Sequence, residues 1–234
     1  MISICMPYYD NPGMLELHID TWNGYPQDIR DQFRFVIVDD ASPNKPAADV
    51  KKRVNGEFHL FRIHKNVPWG WPAAKNIAMH EIPESTALLT DIDHLLEVDA
   101  AINLLGSNIK PDRYYHPHRR RVDHCYYKPH PATWVMQRSL FWKIGGFEEN
   151  WLGLYGTDFL MRNRAARFGK KCELPSVKLT LWGRSDLPDA STTEFGRKGS
   201  IYHKGYDPWV SKAMRKSLDG PPIKVMSQEY SRVI

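Results

Sequence analysis

The first half of the chain alternates short apolar runs with segments whose apolar residues recur at helical spacing. The runs predict buried strands at residues 2–7, 33–40, 58–64 and 86–92. Helices are expected from Asn11-Pro12 onward, from about Pro46 to Val54, and from Pro72 onward. This alternation predicts an α/β fold in which a parallel sheet is covered by helices on both faces and binds ligands at the carboxyl ends of its strands.

The second half has a less regular pattern. Strands are expected at 133–137 and 177–182, with helices at 140–144 and 157–168. Gly145-Gly146 ends the first of these helices, and Thr157 is a possible cap of the second. Residues 110–131 are rich in Pro, His, Arg and Tyr, which predicts a long functional loop or hairpin. We find no repeat or linker and expect a single domain over residues 1–234.

The composition is that of an ordinary globular protein. Hydrophobic residues make up 42% and charged residues 25% of 234 positions, which argues against extended disorder. The net charge of +5 suits an anionic substrate without requiring one. Three widely spaced cysteines predict neither a disulfide framework nor a zinc site. There is no 18-residue apolar run and no basic leader, so we expect a cytoplasmic chain without an integral membrane segment.

An apolar run at residues 86–92 leads into two aspartates, Asp91 and Asp93. Side chains two positions apart on a strand share a face, so these carboxylates are expected side by side, with Ile92 turned into the core. Two adjacent carboxylates repel each other unless a cation lies between them. A hard ion such as Mg²⁺ or Mn²⁺ takes oxygen ligands and substrate phosphates. The pattern therefore indicates a metal–diphosphate site, although Asp-x-Asp also occurs at ordinary strand ends and helix caps.

Five motifs in chain order resemble those of the inverting GT-A glycosyltransferases of the large family-2 type. Four of them are Pro7-Tyr8-Tyr9-Asp10, Val38-Asp39-Asp40-Ala41-Ser42, Gly70–Asn76 and Asp91-Ile92-Asp93. The fifth comprises Ile144–Glu148, Gly156-Thr157-Asp158 and Arg162–Gly169. The resemblance implies a GT-A fold, with a Rossmann-like mixed β-sheet flanked by helices and a nucleotide-sugar site at the C-terminal strand ends. It also implies a nucleotide-sugar-binding half at 1–109, an acceptor-binding half at 110–183 and a C-terminal lid or tail at 184–234.

By this resemblance, the donor substrate is a nucleotide-diphosphate sugar and the cofactor is a divalent metal, Mn²⁺ or Mg²⁺. The residues that would bind the donor are Pro7, Tyr8, Asp10, Asp39, Asp40, Lys75, Asp91 and Ile92. Asp91 and Asp93 would hold the metal, with His203 as a candidate third ligand. Lys75 stands where the family usually has Arg, which keeps the charge but loses the planar fork. Other interpretations stay open, since the residues after Asp39 also make a good turn, Tyr8 could be buried and His203 could be a surface residue.

The resemblance also assigns an acceptor side. Asp158 aligns with the catalytic aspartate of the family and would act as general base, which implies inversion at the anomeric carbon. Thr157 replaces the usual glutamate, and Trp151 and Gly156 would lie beside it against a glycan or another hydroxyl-bearing acceptor. Helix capping by Thr157-Asp158 and core packing by Trp151 are the alternative interpretations.

Basic and aromatic residues interleave at 113–130, a pattern that also suits a polyanion. One alternative is therefore a glycosyltransferase whose acceptor is DNA with hydroxymethylated bases. A nucleotidylyltransferase is less consistent, because the segment after the first strand is neither Gly-rich nor basic. A non-enzymatic module that binds nucleic acid or carbohydrate would need the basic segment, but not Asp91, Asp93 and Asp158 together.

Overall fold

The structure is a computed structural model that describes residues 1–154, 157–191, 212, 216 and 220–234. Within these residues ten strands form one mixed sheet. The strands are β1 Ile2–Tyr8, β2 Phe33–Asp39, β3 Glu57–Ile63, β4 Thr86–Leu89, β5 His94–Leu95, β6 Arg113–Arg121, β7 Tyr126–Tyr127, β8 Trp134–Gln137, β9 Lys170–Leu181 and β10 Tyr230–Arg232. The helices are α1 Pro12–Asn23, α2 Gln27–Arg30, α3 Trp71–Glu81, α4 Val98–Leu105, α5 Arg138–Ile144 and α6 Asp158–Phe168, with a 3₁₀ turn at Ala47–Asp49.

The sheet order is β10-β3-β2-β1-β4-β8-β6-β9-β5, with β7 paired to β6. Strands β3, β2, β1 and β4 are parallel, as the sequence predicts. Beyond β4 the sheet continues through the antiparallel β8, and β6 then pairs in parallel with β9. The sheet is therefore mixed, and the fully parallel sheet expected from the alternation is limited to the first half.

Side-chain alternation along the central strands places an apolar core on each face of the sheet. On β2, Phe35 and Ile37 pack on one face, where α1 and α4 cover them, and Trp22 of α1 stacks on Phe35 at 4.2 Å between ring centroids. Val36 and Val38 point to the opposite face, which α3, α5 and α6 cover. A strand buried on both faces reads as a continuous apolar run, which explains why the sequence predicted it so clearly.

Three expectations need correction. The helix expected from about Pro46 to Val54 is only the single 3₁₀ turn, because Val50 takes an extended backbone and buries its side chain in the core. Of the two forms allowed for residues 110–131, the hairpin is formed by β6 and β7, but β6 also lies inside the sheet between β8 and β9. The strand expected at 177–182 is the end of the longer β9.

The C-terminal residues complete the sheet at its other edge. Strand β10 pairs antiparallel with β3, opposite Phe61–Ile63. Leu60 extends this pairing, because its amide donates to the carbonyl oxygen of Ile234 and its own carbonyl accepts from Val233. Among the described residues, no helix is long and apolar enough to cross a membrane. The cytoplasmic location stays a prediction.

Candidate active site

The carboxyl ends of β1, β2 and β4 meet at one edge of the sheet, and the segments that follow them contain most of the predicted site. Three non-glycine residues at this edge have positive φ, namely Asp10 at 54°, Ala41 at 53° and Trp69 at 53°. Such backbone strain costs about 1–3 kcal/mol per residue and is concentrated at functional sites. Both the topology and the strain therefore identify this edge as the candidate site.

Asp91 and Asp93 lie in a turn between β4 and β5 rather than on the strand itself, because β4 ends at Leu89. The predicted orientation nevertheless holds. Both carboxylates are about one-quarter exposed, and Ile92 is buried in the core between them. His18 of α1 fixes this turn, since its Nε2 lies 2.8 Å from the Ile92 carbonyl oxygen. Burial lowers the pKa of His18 to about 4, so the ring is neutral and its Nε2 is the donor.

Asp91 pairs with Lys75 through one oxygen, and the His130 ring lies beside the other. Lys75 of α3 is fully buried, and its Nζ lies 2.7 Å from Asp91 Oδ1 while it donates to the Ala132 carbonyl oxygen at 2.8 Å. His130 Nδ1 lies 3.1 Å from Asp91 Oδ2. Burial raises the pKa of Asp91, but Lys75, His130 and His94 together outweigh burial and hold that pKa well below its usual range. Asp91 is ionised, and the Lys75 ammonium is engaged by it.

Asp93 has a different partner. Its Oδ1 lies 2.7 Å from His94 Nδ1, yet the two atoms are not aligned as a hydrogen bond and neither has another hydrogen-bond partner. On the far side of the ring, Arg119 Nη1 lies 2.8 Å from His94 Nε2. Arginine has only N–H donors, so Nε2 must be the acceptor. The ring proton of a neutral His94 is therefore on Nδ1, facing Asp93.

This tautomer bears on the predicted metal site. Among the described residues, ligand atoms of Asp91, Asp93 and His94 lie within 4.8 Å of one another. A protonated Nδ1 has no lone pair for a metal, so His94 does not fit as a ligand while Arg119 donates to it. The two carboxylates do fit, because the orphaned Asp93 oxygen is the hard donor that Mg²⁺ or Mn²⁺ prefers. His203, the predicted third ligand, lies outside the described residues.

Asp158 is the first residue of α6 and is largely buried. Burial raises its pKa, Arg162 and Lys75 oppose the rise, and the negative charge of Asp91 adds to it. Lys75 and Asp91 both affect the pKa of Asp158, so the predicted base is within electrostatic range of the Asp91–Asp93 turn. A carboxylate with a raised pKa is a better proton acceptor than an ordinary one.

The other acceptor-side predictions fall near α6. Thr157 occupies the N-cap position and is buried, but its side chain makes no capping hydrogen bond, so the cap expected from the sequence is not formed. Trp151 packs with Phe159 and Leu160 in a small separate cluster. Gly156 lies outside the described residues.

The predicted nucleoside-pocket residues form a hydrogen-bonded frame beneath the carboxyl edge. Tyr8 is buried and its hydroxyl donates to the Lys45 carbonyl oxygen at 2.5 Å. Asp10 accepts from the amides of Asn44 and Lys45. Asp39 accepts from two backbone amides and from Arg62 Nη1 at 2.8 Å.

These contacts shape the turn at residues 40–47, which is the turn chemistry that the sequence also allowed. Asp40 is buried beside Gly70, where a Cβ atom would come within 2.2 Å of its Oδ1. Pro7 is half-buried at the end of β1. Whether Pro7, Tyr8, Asp10, Asp39 and Asp40 contact a nucleoside stays a prediction.

Sequence reasoning missed the pair Glu148 and Glu149, which are buried at the end of the Gly145-Gly146 turn. Glu148 accepts from the amides of Ile223 and Lys224, and Glu149 from those of Met226 and Ser227. The two carboxylates thus hold residues 223–227, which we call the C-terminal strap. The role of these two glutamates could not be predicted from their neighbours in the sequence, because the strap that they bind is 75 residues away.

Asn76, next to Lys75 on α3, ties this turn to the site. Its Oδ1 accepts from the Phe147 amide at 2.8 Å, and its Nδ2 donates to the Phe147 carbonyl and to Glu149 Oε1. Gly146 permits this approach because it has φ of 74° and a Cβ there would lie 2.9 Å from Asn76 Oδ1. The Gly-Gly-Phe segment is therefore fixed against the helix that supplies Lys75.

Several basic side chains of residues 113–130 have partners within the protein. Arg119 is buried against His94, Arg120 pairs with Glu97, and His118 Nε2 lies 3.1 Å from Glu173. Arg121 is exposed and lies over the Tyr127 ring. The segment offers fewer free positive charges than its sequence suggests.

Comparison with protein-family models finds no match, and comparison with curated protein sequences finds none either. Solved structures do match. The S. aureus TarS 1–349 structure has a TM-score of 0.58 at 15% identity, over 93% of this chain and 70% of that one. TarS 1–349 in complex with UDP-GlcNAc has a TM-score of 0.57 at 16% identity, over 78% of this chain and 59% of that one.

A mannosyltransferase, PcManGT from Pyrobaculum calidifontis in complex with GDP-Man and Mn²⁺, has a TM-score of 0.56 at 15% identity. That match covers 92% of this chain and 68% of the neighbour. The chain spans only 38% of a longer TarS chain. At these identities the likeness is one of fold, and the predicted GT-A fold is confirmed.

Proposed function

We propose that this chain is a metal-dependent inverting glycosyltransferase that moves a sugar from a nucleotide-diphosphate sugar to a hydroxyl acceptor. The observation that supports this most is that Asp91 and Asp93 lie together after β4, with a largely buried Asp158 within electrostatic range of Asp91. The neighbours in complex with UDP-GlcNAc and with GDP-Man and Mn²⁺ agree with it, because their folds match over most of this chain.

In the proposed reaction Asp158 is the general base. Its carboxylate takes the proton of the acceptor hydroxyl as that oxygen attacks the anomeric carbon of the donor. The bond from the anomeric carbon to the diphosphate breaks, and the nucleoside diphosphate leaves with the electron pair. One direct displacement inverts the anomeric centre. A positioned base of this kind contributes about 10²–10⁴-fold to rate.

Asp91 and Asp93 have separate parts in donor binding. When bound, the divalent cation neutralises charge that develops on the leaving diphosphate. Asp93 would supply its orphaned oxygen to that cation, and Asp91, whose charge is already balanced by Lys75, would be the weaker second carboxylate ligand. We also propose that the chain is of the family-2 type and that its cation is Mn²⁺ or Mg²⁺.

The acceptor is proposed to be a glycan or similar hydroxyl compound, with Trp151 and Thr157 on its side of the site. DNA is less favoured, because Arg119 is buried against His94, and Arg120 and His118 each lie against a carboxylate of this chain. A charged groove that tracks nucleic acid needs free cations. A pure binding module is less favoured too, since it has no use for a carboxylate with a raised pKa at Asp158.

The test is hydrolysis of a panel of UDP-, GDP-, dTDP- and CMP-sugars by the purified chain, with and without Mn²⁺ or Mg²⁺. We expect one donor to be hydrolysed in a metal-dependent way, with the activity lost in Asp93→Asn. Asp158→Asn should lower acceptor-dependent transfer by about 10²–10⁴-fold, the contribution expected of a general base. Once an acceptor is found, NMR of the product gives the anomeric configuration.

Asp99→Asn is the matched control, because Asp99 is an exposed aspartate in the first turn of α4. It should leave turnover unchanged. Retained metal-dependent turnover in folded Asp93→Asn would contradict the metal-site assignment, and a retained anomeric configuration would contradict the single displacement. Tight DNA or glycan binding without turnover of any donor would favour the binding module.

A further inference from the structure

Arg119 is an arginine of β6 that is almost fully buried next to the candidate metal site. Its guanidinium donates from Nη1 to His94 Nε2 at 2.8 Å and from Nε to the Lys128 carbonyl oxygen at 2.8 Å. The ring of Tyr127 lies against it, with the centroid 4.8 Å from the guanidinium carbon. Among the residues that the structure describes, no carboxylate forms an ion pair with Arg119. Burying a guanidinium in this way is costly, and its neighbours in the site include the charges of Asp93 and Asp91.

The chemistry of arginine determines which atoms donate and which accept between Arg119 and His94. Arg119 can only donate, so His94 accepts on Nε2 and has its proton on Nδ1, the ring nitrogen that lies 2.7 Å from Asp93 Oδ1. His94 itself is buried and has no freedom to turn over, because turning would place a ring carbon against the guanidinium. Arg119 therefore selects the tautomer that faces Asp93 with an N–H rather than with a lone pair.

We propose that Arg119 is a positioning residue that sets the orientation of Asp93 through His94 and thereby the affinity of the site for its divalent cation. This inference rests on the proposed function. Removing Arg119 frees His94 to take the other tautomer, whose Nδ1 lone pair would repel the Asp93 oxygen 2.7 Å away. Partners of this kind, beyond the metal ligands themselves, typically contribute 10- to 100-fold in metal affinity.

The same guanidinium joins the metal site to the β6–β7 hairpin. Through Lys128 and Tyr127 it holds the returning strand of the hairpin, and through His94 it reaches the Asp91–Asp93 turn. A shift of the hairpin therefore moves the group that orients Asp93. The hairpin lies in the half expected to bind the acceptor, so Arg119 physically links that half to the donor side.

The next residue provides the matched control. Arg120 points to the opposite face of β6, where it pairs with Glu97 and donates to Thr180 Oγ1 at 3.3 Å. Arg120→Met removes a basic side chain from the same strand without touching His94. Arg119→Met removes the donor to His94, and Arg119→Lys keeps the charge but lacks the planar fork that reaches both His94 and Lys128.

The experiment measures Mn²⁺ binding by calorimetry in the presence of UDP and GDP, and the His94 tautomer by ¹⁵N NMR of the metal-free protein. In the unaltered chain the proton should be on Nδ1. Arg119→Met should weaken Mn²⁺ binding about 10- to 100-fold, Arg119→Lys should restore part of it, and Arg120→Met should bind as the unaltered chain does. Urea unfolding of each variant identifies any that do not fold.

Two results would overturn the inference. One is a proton on Nε2 of His94 in the unaltered chain. The other is unchanged Mn²⁺ affinity in folded Arg119→Met. Should Arg119→Met fail to fold, the tautomer measurement on the unaltered chain and the Mn²⁺ affinity of Arg119→Lys decide the matter. Failure of the proposed function is distinguishable, because it would appear as absent sugar-donor turnover in a chain that still binds Mn²⁺ with His94 protonated on Nδ1.

Discussion

Replacing Glu149 by glutamine tests whether the C-terminal strap is held by charge. Glu149 Oε1 accepts from Met226 N at 2.9 Å and Asn76 Nδ2 at 2.7 Å, and Oε2 accepts from Ser227 N at 2.7 Å and Ser227 Oγ at 2.6 Å. Glutamine has the same shape, but one of its terminal atoms is an NH₂ group that cannot accept. In either orientation of the glutamine side chain, its NH₂ group faces at least one N–H donor.

The less costly orientation places the amide nitrogen at the Oε2 position. The Ser227 hydroxyl can rotate to accept from it, but the Ser227 amide is left without an acceptor. Hydrogen bonds to a charged group contribute about 1.5–3 kcal/mol each, and a buried donor without a partner costs about 1–3 kcal/mol. We therefore expect Glu149→Gln to lower the free energy of unfolding by about 2–4 kcal/mol.

Urea unfolding followed by tryptophan fluorescence measures this change, and hydrogen exchange at Met226 and Ser227 reports the strap itself. Glu229→Gln is the control, because the Glu229 side chain is 93% exposed and its nearest cation, His64 Nδ1, is 4.0 Å away. An exposed pair of this kind is expected to change stability by no more than about 0.5 kcal/mol. If the two variants unfold alike and the strap amides keep their protection, the reasoning is refuted.

Three further changes have defined outcomes. Burial raises the pKa of Asp158, so kcat/KM should fall as pH drops through a value above the usual aspartate range. Because the fold disfavours the ionised form, stability should also fall as pH rises through that window, and Asp158→Asn should abolish this slope in pH-dependent urea unfolding. Lys75→Met leaves Asp91 and the Ala132 carbonyl without their buried ammonium and should cost about 3 kcal/mol by urea unfolding; equal stability would contradict the buried pair. Deleting residues 230–234 exposes the edge of β3 and should lower the urea midpoint without moving the Mn²⁺ affinity.

The parallel half of the fold was predictable because its strands are buried on both faces. Runs such as Phe35 to Val38 have no polar interruption, and the helices between them keep helical spacing. Strand β6 was harder to predict, because its sequence is mostly Arg, His, Tyr and Pro. Arg119 is buried against His94, and the half-buried Arg120 and His118 lie against Glu97 and Glu173, so their partners all come from other parts of the chain. The pattern of apolar and polar residues along β6 does not reveal these partners.

The candidate site also combines residues that could be predicted from the sequence with residues that could not. Asp91, Asp93 and Asp158 belong to short motifs at predicted element ends, and the family resemblance groups them as one site, which stays a prediction. The groups that tune them are isolated residues. His130 lies 39 positions from Asp91, and Arg119 is one of three consecutive arginines. Arg120 pairs with Glu97 instead, Arg121 is exposed over the Tyr127 ring, and only the structure shows that Arg119 contacts His94.

The two aspartates of the metal motif are chemically identical in the sequence, and the fold makes them different. Asp91 faces a buried ammonium and a second ring nitrogen, so its charge is largely balanced before any ligand arrives. Asp93 lies against the His94 ring, whose Nε2 accepts from Arg119, and keeps an oxygen without a hydrogen-bond partner. A divalent ion gains most where negative charge is uncompensated, since an ammonium beside a carboxylate both weakens its field and occupies its lone pairs. Asp93→Asn should therefore lower Mn²⁺ affinity more than Asp91→Asn does in calorimetry of the folded variants, whereas Asp91→Asn should cost more stability because it leaves Lys75 buried without its counter-ion. Equal losses of Mn²⁺ affinity in the two variants would show that the cation is shared evenly and that the Lys75 pairing does not divide their roles.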